Sequence, residues 1–271
     1  YDTGIENYRQ LLALNPEINF LVFHTEIIEY SLFHPLNEIF PESDRGQGLA
    51  YFEQHLPDGL KFGKMVFNNY EHYDSLYHTS DHHWNIHGIL EAYEGIHQLL
   101  TEVYPAISPM QQPVEFRTFP DIDYLGAYAR KTLYPITPEI FEVAIFDLPS
   151  YQVYRNGKET TYGNKEKYLA GDYPRGDYIN HYGEYYGTDY ALLEFVSQNG
   201  STRNIAVFGS SADNPLIPLI ASHYFHTYSV DLRLYDDFSL SSFLAEHPVD
   251  DILIIGENWG AFGVEYWQIH P

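Results

Sequence analysis

The chain has 271 residues, 44% of them hydrophobic, which is enough for a sizeable buried core and too many for a disordered segment. Lys and Arg number 14 against 38 Asp and Glu, and the resulting formal charge of −24 argues against nucleic acid or an anionic membrane surface as partner. There is no Cys, so disulfides, thiolate chemistry and cysteine metal sites are excluded.

Ile5, Tyr8, Leu11 and Leu12 recur at helical spacing, and Asn15-Pro16 stops that helix. Residues 18–23, Ile-Asn-Phe-Leu-Val-Phe, form an apolar run of core-strand length. Pro35, Pro41 and Ser43-Asp44 predict a loop over 30–45. Residues 48–56 read as a helix closed by the turn Pro57-Asp58-Gly59, and 64–67 as a second strand. Asn85 is a good N-cap for a helix carrying Ile86, Leu90, Tyr93, His97 and Leu100. Trp84 and Ile89, at N′ and N4, are placed to form a hydrophobic staple.

Residues 105–120 predict an irregular connection, and 141–146 a strand. The tract 162–190, rich in Gly, Tyr and Asp, has few aliphatic residues and is expected to lie over one face as a long insertion. The chain holds 26 Tyr. A ring face joined to a hydroxyl suits sugar surfaces, although such a composition needs no functional reason. The rest alternates. A strand at 204–208 leads through Gly209-Ser210-Ser211 to a helix from Pro215, capped by Asn214 and carrying Leu216, Leu219, Ile220 and Tyr224. A strand (227–232), a helix (240–246) and a strand (251–256) follow. This rhythm predicts an α/β domain whose parallel sheet is covered by helices on both faces.

Two stretches carry candidate chemistry. Ser80-Asp81-His82-His83-Trp84-Asn85 sets a carboxylate two residues before an imidazole, and Ser211 stands past the carboxyl end of a strand. Nucleophile, base and orienting acid are the parts of a serine-hydrolase triad, recognised by role and not by chain order. In an extended segment, residues i and i+2 project to one side, so Asp81 is expected to reach His83 while His82 points elsewhere. The Ser211 N–H, near the start of the next helix, is a candidate oxyanion donor. Plainer readings compete, because Gly-Ser turns end many strands and Asp81 could serve only its turn. A metal reading competes as well, since His78/His82 and His83/His87 are each spaced i, i+4. The Asn85 cap, however, puts a helix start between His83 and His87, so we expect no metal.

Asp81-His82-His83-Trp84 matches the name-giving motif of the DHHW protein family, which resembles the alginate O-acetyltransferase-like branch of the SGNH hydrolases. Tyr77-His78-Thr79-Ser80 ahead of the motif, the tract 185–190, Asn214-Pro215-Leu216-Ile217-Pro218 and the stretch 230–235 fit the resemblance too. It implies one three-layer α/β/α SGNH-like (flavodoxin-like) domain over 1–271, with an insertion at about 119–199. It also implies a triad of Ser211, His83 and Asp81 that works without a cofactor. The family usually has Asp directly before the serine, and Ser210 stands there in this chain, which makes Ser210 a rival nucleophile. Arg233, Trp84 and Gly126 are candidates for substrate contacts.

The implied activity is O-acetyl transfer to, or removal from, an exported cell-surface polysaccharide, with a membrane acyltransferase partner supplying acetyl groups. The alternative is a catalytically silent carbohydrate-binding or scaffold protein of the same export machinery. No apolar run in the chain reaches transmembrane length, and no leader-like segment opens it. Because it opens at Tyr1 and not at Met, we expect a signal or anchor upstream that holds an extracellular protein at the membrane.

Overall fold

A computed structural model of the chain describes residues 2–26, 33, 47–133, 135–176 and 178–256. At its centre, β1 (Asn19–Thr25), β8 (Asn204–Phe208) and β10 (Asp251–Gly256) are apolar runs buried almost throughout. That is the pattern of strands covered on both faces of a parallel sheet. With β2 (Lys61–Met65) and β9 (His226–Val230) they pair in parallel in the order β2-β1-β10-β8-β9.

Alternate residues of each strand face opposite sides. Phe20, Val22, Ile252 and Ile254 join one apolar cluster with Ile5, Tyr8 and Leu11 of α1 (Asp2–Leu14). Phe52 of α2 (Gln47–Gln54) and Leu240 and Phe243 of α9 (Leu240–Glu246) complete that cluster. Leu21, Phe23, Leu253 and Ile255 join the other, with α4 (Ile86–Val103) and α8 (Ile217–Ala221). α3 (Tyr70–Leu76) leads towards α4.

The expected all-parallel sheet is not what forms. Beyond β9 come β7 (Leu192–Ser197), β5 (Tyr151–Arg155) and β6 (Lys158–Thr160), each antiparallel to its neighbour, so the sheet of eight strands is mixed. One of these pairings, β5 with β6, is made by a two-residue turn. Asn156 and Gly157 both adopt positive φ, 53° and 70°, which joins β5 to β6 as a hairpin.

β3 (Pro113–Tyr124) and β4 (Glu139–Phe146) form a separate antiparallel ribbon, so much of the expected irregular stretch at 105–120 is strand. Proline is admitted because Pro113 opens the strand and Pro120 falls where the register shifts between Phe119 and Asp123. The helices α5 (Ala127–Thr132), α6 (Lys165–Leu169) and α7 (His181–Tyr186) are short. Five tyrosines of the tract, Tyr162, Tyr168, Tyr182, Tyr185 and Tyr186, are buried and belong to the same apolar cluster as α4, while Tyr178 is exposed.

The expected cap at Asn214 also differs. Residues 211–216 form turns and the helix starts at Ile217. The Asn214 side chain instead accepts from the Tyr162 hydroxyl at 2.8 Å and donates to Asp189 at 2.9 Å. The loop expected at 30–45 lies outside the described residues, apart from Phe33. Among the described residues, no helix is long and apolar enough to cross a membrane.

Asn85 does cap α4, accepting from the N–H groups of His87 and Gly88, and its amide also donates to the carbonyls of Ser75 and Tyr77. It therefore joins two helices as well as ending one. Asn85→Ala should cost about 2 kcal/mol, the upper end for an N-cap, read as a lower urea midpoint at unchanged slope.

Candidate active site

Tyr77 and Trp84 form an antiparallel bridge that closes the loop between α3 and α4. His78 N–H donates to the His83 carbonyl at 3.2 Å, so residues 78–83 form a tight turn and not an extended segment. The turn buries Asp81 completely and His83 almost so. Ser211 stands on the turns that leave β8 and is partly exposed.

These three side chains meet. His83 Nδ1 lies 2.8 Å from Asp81 Oδ1, and His83 Nε2 lies 2.8 Å from Ser211 Oγ. Asp81 Oδ2 accepts from the Tyr124 hydroxyl at 2.7 Å and from the Ala127 N–H, at the start of α5, at 2.9 Å. The ring of Tyr182 stacks on His83, with centroids 4.1 Å apart and planes 16° apart. The chain motif pointed to Asp81 and His83, but nothing local marked Tyr124 or Tyr182, which act from distant elements.

Because the segment is not extended, His82 does not turn away. Its Nδ1 is 3.2 Å from Asp81 Oδ1, and its ring lies 3.9 Å from that of His83. What separates the two imidazoles is reach: His83 spans from the carboxylate to Ser211, while His82 is 40% exposed. Of the paired serines, it is the Ser211 hydroxyl that contacts His83. Ser210 offers its carbonyl to the Asp213 N–H.

The electrostatics suit proton transfer. Burial would raise the Asp81 pKa, but hydrogen bonds from His82, His83 and Tyr124 more than offset it and hold the carboxyl far below its usual range. Burial lowers the His83 pKa more than Asp81 raises it, so the imidazole is neutral at neutral pH and free to accept a proton. Ligand atoms of Asp81, His82 and His83 lie within 4.8 Å of one another, the one cluster of metal-ligating groups among the described residues. A cation held by Nδ1 of His83 would have to displace its hydrogen bond to Asp81. His78 and His87, the outer members of the i, i+4 pairs, face Glu139 and Glu142 instead.

The other candidates have different surroundings. Trp84 is 1% exposed and packs in the core, so it offers no face to a substrate. Gly126 supports the acid: a Cβ there would fall 2.4 Å from that of Asp81 and 2.5 Å from the Ser80 carbonyl oxygen. The Arg233 guanidinium is taken up by Asp231 at 2.6 Å and Asp189 at 2.9 Å. The expected helix terminus at Ser211 is absent, since α8 begins six residues later.

No family model matches the chain, and no curated protein matches it. Solved structures do. Bacillus cereus PatB1 with a sulfonyl adduct is similar at a TM-score of 0.74 and 18% identity, covering 99% of this chain and 90% of that one. Another structure of Bacillus cereus PatB1 gives 0.72 and 16%, covering 99% and 92%. A DHHW family protein from Eubacterium siraeum DSM 15702 gives 0.66 and 16%, covering 96% and 86%. The resemblance expected from Asp81-His82-His83-Trp84 is thus met at the level of fold.

Only the neutral imidazole can take the serine proton. Labelling of Ser211 by phenylmethylsulfonyl fluoride should therefore rise with pH as His83 loses its proton, with a midpoint below the ordinary imidazole value of 6.5, and level off by neutrality. Peptide mass mapping of the adduct across pH checks this, and a label on Ser210 would contradict it.

Proposed function

We propose that this protein is an SGNH-type serine enzyme that transfers an O-acetyl group to, or removes one from, an exported cell-surface polysaccharide. The observation that carries the reading is the continuous Asp81–His83–Ser211 relay, with both contacts at 2.8 Å. Ser211 Oγ attacks the acyl carbonyl while its proton passes to His83 Nε2. The imidazolium, stabilised by Asp81, returns that proton to the leaving oxygen as the acyl-serine forms. In the second half, His83 takes a proton from a sugar hydroxyl or from water as that oxygen attacks the acyl carbonyl, and Ser211 Oγ leaves, taking the proton back from His83 Nε2. No cofactor enters either half. The similarly folded PatB1 carries a sulfonyl adduct, which fits a fold that presents a reactive nucleophile. In the same reading, a membrane acyltransferase supplies the acetyl groups, and the protein works outside the cell, held at the membrane.

Turnover of 4-nitrophenyl acetate tests the reading. Ser211→Ala and His83→Ala should abolish it, and Asp81→Asn should lower kcat about 10⁴-fold with the circular dichroism spectrum unchanged. His82→Ala should keep most activity, because its ring does not reach Ser211. Failure of the folded wild-type chain both to hydrolyse the ester and to react with the sulfonyl reagent would leave the silent carbohydrate-binding scaffold as the better reading.

A further inference from the structure

Asp81 stands on a turn, and a turn holds a side chain only as firmly as it is itself held. The ribbon β3–β4 provides the hold through one cross-strand pair, Tyr124 opposite Glu139. Tyr124 donates to Asp81 itself. Glu139 takes the residues just before it. Its Oε1 accepts from the Ser80 N–H at 2.9 Å and the Ser80 hydroxyl at 2.5 Å, and its Oε2 from the Thr79 N–H at 3.0 Å. His78 Nδ1 lies 3.3 Å from Oε2, and the Ser80 oxygen in turn accepts from the Gly126 N–H at 2.8 Å. Four polar groups from three consecutive residues thus converge on one largely buried carboxylate.

We propose that Glu139 is a positioning residue: it fixes the turn 78–81 and so sets the hydrogen bond between Asp81 and His83. Nothing in Glu139 touches Ser211, and its effect passes through the backbone of the turn. The carboxylate is suited to the task because it offers acceptors only. Burial would raise its pKa, but the hydrogen bonds from His78 and Ser80 outweigh that and keep the group ionised. An amide in its place would present donors to donors. The activity arm of the test rests on the acetyl-transfer reading, while the spectroscopic arm does not.

The spectroscopic arm is the far-downfield proton resonance of the His83 Nδ1–H bound to Asp81, assigned by its loss in His83→Ala. Glu139→Gln should weaken or abolish it and lower kcat on 4-nitrophenyl acetate about 10²-fold, the scale of a misplacement near 1 Å, with KM little changed. Glu139→Asp, which keeps the charge, should recover part of both. Glu142→Gln, on the same strand but facing His87, should change neither. If Glu139→Gln fails to fold, Ser80→Ala removes one of the four contacts and should give a smaller loss in the same direction. A resonance and kcat at wild-type level in folded Glu139→Gln would overturn the proposal. An inactive wild type whose resonance still depends on Glu139 would support the positioning role and defeat the enzyme reading.

Discussion

The site depends on keeping one ionised carboxylate out of water. Asp81 is fully buried, and an uncompensated buried charge costs several kcal/mol. Its partners come from three separate parts of the chain: His83 within the turn, Tyr124 at the end of β3 and the first N–H of α5. Each must be in place for the charge to be tolerated, so folding the ribbon and the short helix is coupled to forming the site. Gly126 shows how tight this is, because the backbone approaches Asp81 too closely for any side chain.

Two parts of the fold supply the site. The parallel half of the sheet brings Ser211 to the carboxyl end of β8, where open α/β sheets place their ligand sites. Asp81 and His83 come from the loop between α3 and α4, steadied by the ribbon and by the cap of α4 at Asn85. The 2.8 Å approach of His83 Nε2 to Ser211 Oγ joins the two. Tyr182 covers one face of the imidazole, which limits the ring to the plane that reaches both partners.

Negative charge is managed locally as well as at Asp81. Asp189 and Asp231 share Arg233. Asp213 is buried near them, and desolvation, then repulsion from both, drives its carboxyl well above the usual range. In a chain of net charge −24, one arginine among three aspartates is committed to its neighbours before any ligand arrives.

The sequence by itself determined what depends on near neighbours. The central strands β1, β8 and β10 show as short apolar runs, α4 as an Asn cap with helical spacing, and the candidate chemistry as Asp81-His82-His83-Trp84 followed far downstream by Ser211. Tertiary structure alone decided the rest. Tyrosine serves either core or surface, and packing in the cluster that holds α4 buries Tyr162, Tyr168, Tyr182, Tyr185 and Tyr186 of the 162–190 tract. Asn214 has the chemistry of a cap, yet Tyr162 and Asp189 claim its amide. Both imidazoles of the motif lean on Asp81 because the segment turns, and it is His83 that meets Ser211, 128 residues away. A hydrogen bond is specified by position in space, and spacing along the chain fixes position only within a helix, a strand or a turn.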